Sequence, residues 1–217
     1  YNLFNSGSTT CRKDRTWILR VMELGACSHV DYIVLRRRHV VPILLSFYDS
    51  ELSDLMTRRH VANIVLRLCR DEQTAAQLCE FTGLVAWLST VLHHAAFAGA
   101  DHGVRASSLE PFPLLPIVLR ICRCVLAACR SGALRHGHEL SMLTPSLIAL
   151  LPVFALSPQA GLLPTACSLL KDCVEAGVCR PGLPDHVAVL LAQAGQEQDC
   201  MLLLQSGGLQ SLTSAAG

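Results

Sequence analysis

Charge and aromatic rings are both scarce in this sequence. Only 16% of its residues are charged and 5% aromatic, while 51% are hydrophobic; an average soluble domain is about 25% charged. With a formal net charge of +1 the whole is not a polycation. Leu, Ala and Val dominate, a composition that favours helices over sheets and leaves little polar surface to spare. Catalytic signatures are missing as well: there is no GxGxxG, P-loop, HExxH or GxSxG, so no enzymatic activity is expected.

No signal-peptide pattern opens the chain, because Tyr1 to Thr10 is polar and contains glycine. These residues read as the cut end of a longer chain, and the 217 residues as a domain excised from a larger protein. The eleven cysteines are an odd number set mostly in apolar runs such as Ile121-Cys122-Arg123-Cys124-Val125. Reduced, buried thiols behave that way, whereas a secreted disulfide framework is shorter and rich in loops. From Leu140 to Leu170 no residue is charged. Pro145, Pro152, Pro158 and Pro164 interrupt that run, so it reads as two buried helices with no membrane segment.

What is present is helical periodicity. Trp17, Ile18, Val21, Met22 and Leu24 form an apolar stripe that predicts a helix over Arg15 to Cys27, with Thr16 as N-cap and Gly25 as stop. Asp31 is expected to cap a brief helix through Arg38, with Tyr32 and Leu35 packing inward. Val40 to Tyr48 follows, tolerating Pro42 in its first turn. Further helices are predicted from Ser53 or Asp54 to about Arg70, from Asp71 or Glu72 to Phe81, and from Leu84 to Phe97. Gly99 to Pro113 reads as a loop. Beyond it, helices are expected over Leu114–Cys129, His136–Leu143, Pro145–Phe154, Gly161–Ala176 and Pro184–Ala194, with a last pair at Asp199–Gln205 and Gly208–Ala215.

One local pattern recurs. Leu78-x4-Gly83-Leu84-x2-Trp87 reappears as Leu203-x4-Gly208-Leu209-x2-Leu212, and in part as Leu156-x4-Gly161-Leu162. A glycine between two helices allows the left-handed conformation and a close crossing. The expected fold is therefore all-α, an armadillo/HEAT-like solenoid of stacked helix pairs. It divides into an N-terminal end (1–13), a first helical block (14–98), a loop (99–113) and a second block of the same solenoid (114–217).

Chemistry-bearing residues are few. Cys122, Cys124 and Cys129 lie near His136 and His138, but Cys124 points away from the other two on a helix, and no matched ligand pair follows. Cys167, Cys173 and Cys179 offer no better set. No metal, cofactor or small-molecule substrate is therefore expected. The arginines are the best surface candidates. Residues 1–70 hold eleven Lys/Arg against six Asp/Glu, and the remainder seven against eleven. Arg36, Arg37, Arg58 and Arg59 form the candidate basic interaction surface, since guanidinium forks suit phosphate and carboxylate alike. Internal pairing is the competing reading, and it weighs most on Arg37 and Arg38. Aromatic residues do not interleave with these arginines in the manner of RNA-recognition motifs.

Three stretches carry a family resemblance: Arg15-x-Trp17-Ile18-Leu19-Arg20, then Asp31-Tyr32-x2-Leu35-x2-Arg38, then Val41-x2-Leu44-Leu45-Ser46-Phe47-Tyr48-Asp49-Ser50. With Gly83-Leu84-Val85-Ala86-Trp87-Leu88 they resemble the C-terminal domain of the nucleolar pre-ribosomal-associated protein 1 family, over roughly residues 14–92. The resemblance implies a non-catalytic helical-repeat scaffold of early large-subunit ribosome assembly in the nucleus and nucleolus. It implies ribosome assembly factors as partners, with pre-ribosomal RNA or small nucleolar RNA as a further class. The alternative is a generic armadillo-like adaptor in transport or signalling. Gly25-Ala26-Cys27-Ser28, where a more polar turn is expected, departs from the family pattern.

Overall fold

Four helices begin on a side-chain cap, which explains where they start. The structure, a computed structural model, describes Phe4 and residues 7–98, 113–134, 137–155 and 161–178. The described residues form nine α-helices and no strand. In chain order these are α1 (Thr9–Gly25), α2 (His29–Arg37), α3 (Val40–Tyr48), α4 (Leu55–Leu68), α5 (Glu72–Thr82), α6 (Leu84–Ala98), α7 (Leu115–Arg130), α8 (Leu143–Ala155) and α9 (Leu162–Glu175). A 3-10 turn at Gly137–Met142 leads into α8. Ser8, Ser28, Asp54 and Asp71 each accept a hydrogen bond from the first turn of the helix that follows. Each satisfies a backbone donor that the helix leaves open, which stabilises by about 1 kcal/mol.

The helices pack mostly on partners further along the chain. α1 lies on α4, α4 on α7 and α7 on α9; α2 lies on α5, and α6 on α8. Their buried faces merge into one apolar cluster that includes Leu19, Tyr32, Leu44, Ile64, Leu78 and Leu119. Complete burial of each such leucine or isoleucine contributes about 1.5–3 kcal/mol.

Polar bonds across these contacts have a regular sequence separation. Arg12 bonds Asp54 across 42 residues, Arg36 bonds Gln77 across 41, and Arg130 bonds Asp172 across 42. Glu23 to His60 spans 37 and His29 to Thr74 spans 45. Ser89 to the Met142 carbonyl spans 53, a pair that brackets the 99–113 segment.

The first helix differs most from its expected form. It starts at Thr9 with Ser8 as N-cap, so Thr16 lies inside it and bonds the Arg12 carbonyl. Its inward face shares only part of the predicted stripe: Met22 packs against the core and Ile18 is partly buried. Arg15 and Leu19 are buried, while Trp17, Val21 and Leu24 are 68%, 49% and 65% exposed. Polar contacts set this orientation. Arg12 and Glu23 both reach α4, which turns Arg15, Leu19 and Glu23 inward and the Trp17 side out. Arg15 ends with its guanidinium 5.3 Å over the Phe47 ring.

Asp31 is also placed differently. The N-cap of α2 is Ser28, and Asp31 sits at the third helical position, its carboxylate accepting from the Ser28 amide at 2.8 Å. This is a reciprocal capping box. Tyr32 is fully buried and Leu35 partly so, both against the core, as their spacing predicts. Gly83 (φ 70°) and Gly161 (φ 93°) are both left-handed. They do not occupy equivalent places, however: Gly83 joins α5 to α6, Gly161 joins α8 to α9, and α6 packs on α8 rather than on α9. The recurring Leu-x4-Gly-Leu pattern marks a kind of corner, not a repeat register. The helices expected after Gly177, and the Gly208 copy of the pattern, lie outside the described residues.

Among the described residues no single helix is long and apolar enough to cross a membrane. The uncharged run from Leu140 splits between α8 and α9. α5 and α6 together reach the length and apolarity, but they meet at 82° across Gly83.

Candidate interaction surface

The arginines of α2 follow from how that helix begins and ends. The Ser28–Asp31 box fixes its start, and hydrogen bonds from the Ser28 side chain and the Cys27 amide hold the Asp31 carboxyl below its ordinary pKa. Arg36 and Arg37 occupy the last turn, where cations complement the negative end of the helix dipole. The chain then turns sharply at His39, whose φ of 53° makes it the non-glycine residue with a left-handed backbone among those described. The His39 amide donates to the Arg36 carbonyl at 3.0 Å, closing the corner before α3.

Arg36 does not stand free. Its Nη1 donates to Gln77 Oε1 at 3.2 Å, and its guanidinium lies 3.9 Å over the Phe81 ring. Both partners come from α5, so Arg36 ties α2 to α5. Arg37 and Arg38 are exposed and make no side-chain bond among the described residues. Internal pairing, expected to weigh most on Arg37 and Arg38, thus falls on Arg36 among the α2 arginines. Arg36, Arg37 and His39 line a cleft of about 460 Å³ whose floor includes Tyr32, Val41 and Pro42 and whose rim includes Phe81. The Tyr32 hydroxyl is buried and has no hydrogen-bond partner among the described residues. Burial raises the Tyr32 pKa, against the opposing pull of Arg36.

The second arginine pair sits elsewhere. Arg58 is half-buried: its Nε donates to the Tyr48 carbonyl at 3.0 Å, and its guanidinium lies 5.7 Å from the Tyr48 ring. Tyr48 in turn meets Trp87 edge-on at 5.0 Å. Arg58 lines a smaller cleft of about 170 Å³ with Asp49 and His94. Burial raises the Asp49 pKa there, and His94 and Arg58 oppose the rise. Arg59 is exposed and makes no side-chain bond among the described residues. The four arginines therefore do not line one cleft. Nor does Arg12-Lys13-Arg15 extend such a surface, because Arg12 is paired with Asp54 and Arg15 is buried.

Sequence spacing gives no sign of two features. Phe81 supplies an exposed aromatic ring beside Arg36 from a helix 45 residues away in the sequence. A polar cluster joins α1 to α4: Glu23 accepts from His60 at 2.5 Å and from Asn63 at 3.0 Å, and Arg67 donates to the Glu23 carbonyl. Glutamate opposite histidine and asparagine is visible in the sequence only once the 37- to 40-residue separation is known.

The described cysteines are all free thiols. Burial pushes Cys79 up to about 12 and raises Cys69 and Cys122 further from thiolate formation. No group of three or more His, Cys, Asp or Glu among the described residues is placed to hold a metal ion. His136 and Cys179 lie outside that set.

Residues 1–87 match the family model described as nucleolar pre-ribosomal-associated protein 1. The matched span runs through α1–α5 into the first turn of α6, and so contains Arg36, Arg37, Arg58, Arg59 and Phe81. No curated protein and no solved structure matches the chain.

Proposed function

With the match of residues 1–87 to the nucleolar pre-ribosomal-associated protein 1 family as the premise, we propose that this chain is a non-catalytic scaffold domain in nucleolar large-subunit ribosome biogenesis. It acts in the early pre-60S stage that accompanies pre-ribosomal RNA processing, in the nucleolus of the nucleus. Its partners are ribosome assembly factors, with pre-ribosomal or small nucleolar RNA as a further class. The family match is the observation that carries this reading.

The architecture supports a scaffold. Polar bonds that tie helix to helix at separations of 37–45 residues are close to the roughly 40–47-residue length of an armadillo or HEAT repeat. We read the helices as a solenoid of that kind, in which each repeat buries its neighbour's apolar face and the outer faces remain for partners. Packing connects residues 7–98 with 113–178 through α4–α7 and α6–α8, which supports reading the two blocks as one stack.

A generic peptide-binding adaptor has less support. Such arrays present tryptophan repeatedly along one inner face, whereas Trp17 is 68% exposed and Trp87 only 6%. The test is affinity purification of the tagged full-length protein with localisation in the same cells. Nucleolar signal and co-purification of large-subunit precursors are expected. A stable cytoplasmic pool carrying no pre-ribosomal RNA would overturn the proposal.

A further inference from the structure

The cleft at the α2–α3 corner combines unpaired positive charge with apolar walls. Arg37 and His39 are exposed there beside Ile33, Val41 and Pro42, and no acidic residue among those described lines it. Arg36 is already engaged by Gln77 and Phe81, so Arg37 is the guanidinium left to meet a ligand. The apolar surface continues along α2 away from the cleft. Val30, Ile33 and Val34 are 69%, 36% and 59% exposed, and with Arg37 they fall at positions i, i+3, i+4 and i+7 of one helical face.

We propose that this face and cleft dock an acidic segment of a partner protein studded with apolar side chains. The apolar groups of such a segment cover Val30, Ile33 and Val34, and its carboxylates reach Arg37 and His39. Charge complementarity selects the sign of the partner, because two guanidinium groups, Arg36 and Arg37, border the cleft and no carboxylate among the described residues lines it. The aliphatic stripe selects protein over RNA. Single-stranded RNA binds where successive exposed aromatic rings give its bases a stacking platform; here Phe81 is a single exposed ring with Arg36 stacked on one side, and the rest of the face is branched aliphatic. The proposal rests on the scaffold reading and names the chemistry of one of its partners.

The test is fluorescence anisotropy on the full 217-residue chain with three labelled probes. The first is a peptide of about fifteen residues carrying Leu at helical spacing and Glu between; the second has Lys in place of Glu; the third is oligouridine of similar length. The acidic peptide is expected to bind, to weaken as salt rises, and to bind about tenfold or more weakly to Arg37→Glu and Val34→Asp chains. Arg37→Gln, milder at an exposed site, should give a smaller loss in the same direction, and circular dichroism confirms that each variant keeps its helices. Unchanged peptide binding by the variants overturns the proposal. So does an acidic peptide that fails to bind, oligouridine binding that the same substitutions remove, or self-association of the chain through these residues. Failure of the full-length protein to co-purify with ribosomal precursors bears on the scaffold reading alone. Loss of the peptide result with co-purification intact bears on this cleft alone.

Discussion

Arg12 and Asp54 are joined across 42 residues: Arg12 Nε donates to Asp54 Oδ2 at 2.8 Å, while Asp54 Oδ1 accepts from the Thr57 amide at 2.8 Å. One carboxylate thus caps α4 and holds α1 against it. Asp54→Ala removes both functions and is expected to lower unfolding free energy by about 1–2 kcal/mol, the upper part of the range for a lost cap. Arg12→Ala removes only a pair whose arginine side chain is 60% exposed, so a loss of no more than about 1 kcal/mol is expected. Urea denaturation of both variants measures the difference.

The same carboxylate gives stability a pH dependence. Burial alone would raise its pKa, but hydrogen bonds from Thr57 and Arg12 outweigh burial and bring it down to about 2. A group whose folded pKa lies below its unfolded value stabilises the fold at pH above the unfolded value, near 4, and loses that contribution as pH falls toward about 2. Asp31 and Asp71, both held low by their own cap hydrogen bonds, add in the same direction. Melting temperature should therefore fall between about pH 4 and about pH 2, and fall less steeply in Asp54→Asn, which keeps a capping side chain without the titration. A slope that Asp54→Asn leaves unchanged would place the effect at other carboxylates.

The two faces of α1 separate an apparent core residue from a real one. Leu19 is fully buried, and Leu19→Ala is expected to cost about 2–5 kcal/mol through lost transfer energy and the cavity left behind. Trp17 is 68% exposed. Trp17→Ala should change stability by less than about 0.5 kcal/mol despite removing the larger side chain. Thermal melts of the two variants check the ordering, which the sequence pattern alone would reverse.

That reversal shows what the sequence could and could not convey. Boundaries set by local chemistry were readable to within a residue: the expected starts at Ser53 or Asp54 and at Asp71 or Glu72 fall on Asp54 and Asp71 as caps, and Pro42 in a first turn and Gly83 at a left-handed corner sit where their residue types favour them. Orientation depends on distant partners and was not readable. Trp17, Val21 and Leu24 form as good an apolar stripe as any in the chain, but α4 offers Asp54, His60 and Asn63 to the other side of α1. The candidate surface divided for the same reason. Arg36 and Arg58 look equivalent to Arg37 and Arg59 in sequence, and only α5 and the end of α3 distinguish them, by presenting Gln77, Phe81 and Tyr48.

Thiol reactivity should follow burial rather than local sequence. Cys27 is exposed, whereas Cys69, Cys79 and Cys122 are buried with pKa values raised by desolvation. Because the thiolate is the reacting form, iodoacetamide at neutral pH should modify Cys27 in the native protein and reach those three only in denaturant. Peptide mass spectrometry after a short labelling pulse reads this directly. Native labelling of Cys122 at the Cys27 rate would contradict the packing of α7 against α9.

The same chemical change at two glycines should move stability in opposite directions. Neither Gly25 nor Gly83 has a heavy atom within 4 Å of where a Cβ would stand, so steric crowding decides neither case. Backbone conformation does. Gly83 lies at φ 70°, between two helices that meet at 82°. Alanine there occupies the left-handed region, at a cost of about 1–2 kcal/mol. Gly25 ends α1 without a positive φ. Alanine at that position restricts the unfolded chain without straining the folded one, which stabilises by about 0.4–1 kcal/mol. Gly83→Ala should therefore lower the denaturation midpoint and Gly25→Ala raise it. Equal shifts of one sign would mean that the α5–α6 corner does not hold its left-handed turn, and with it the placement of Phe81 beside Arg36 would fail.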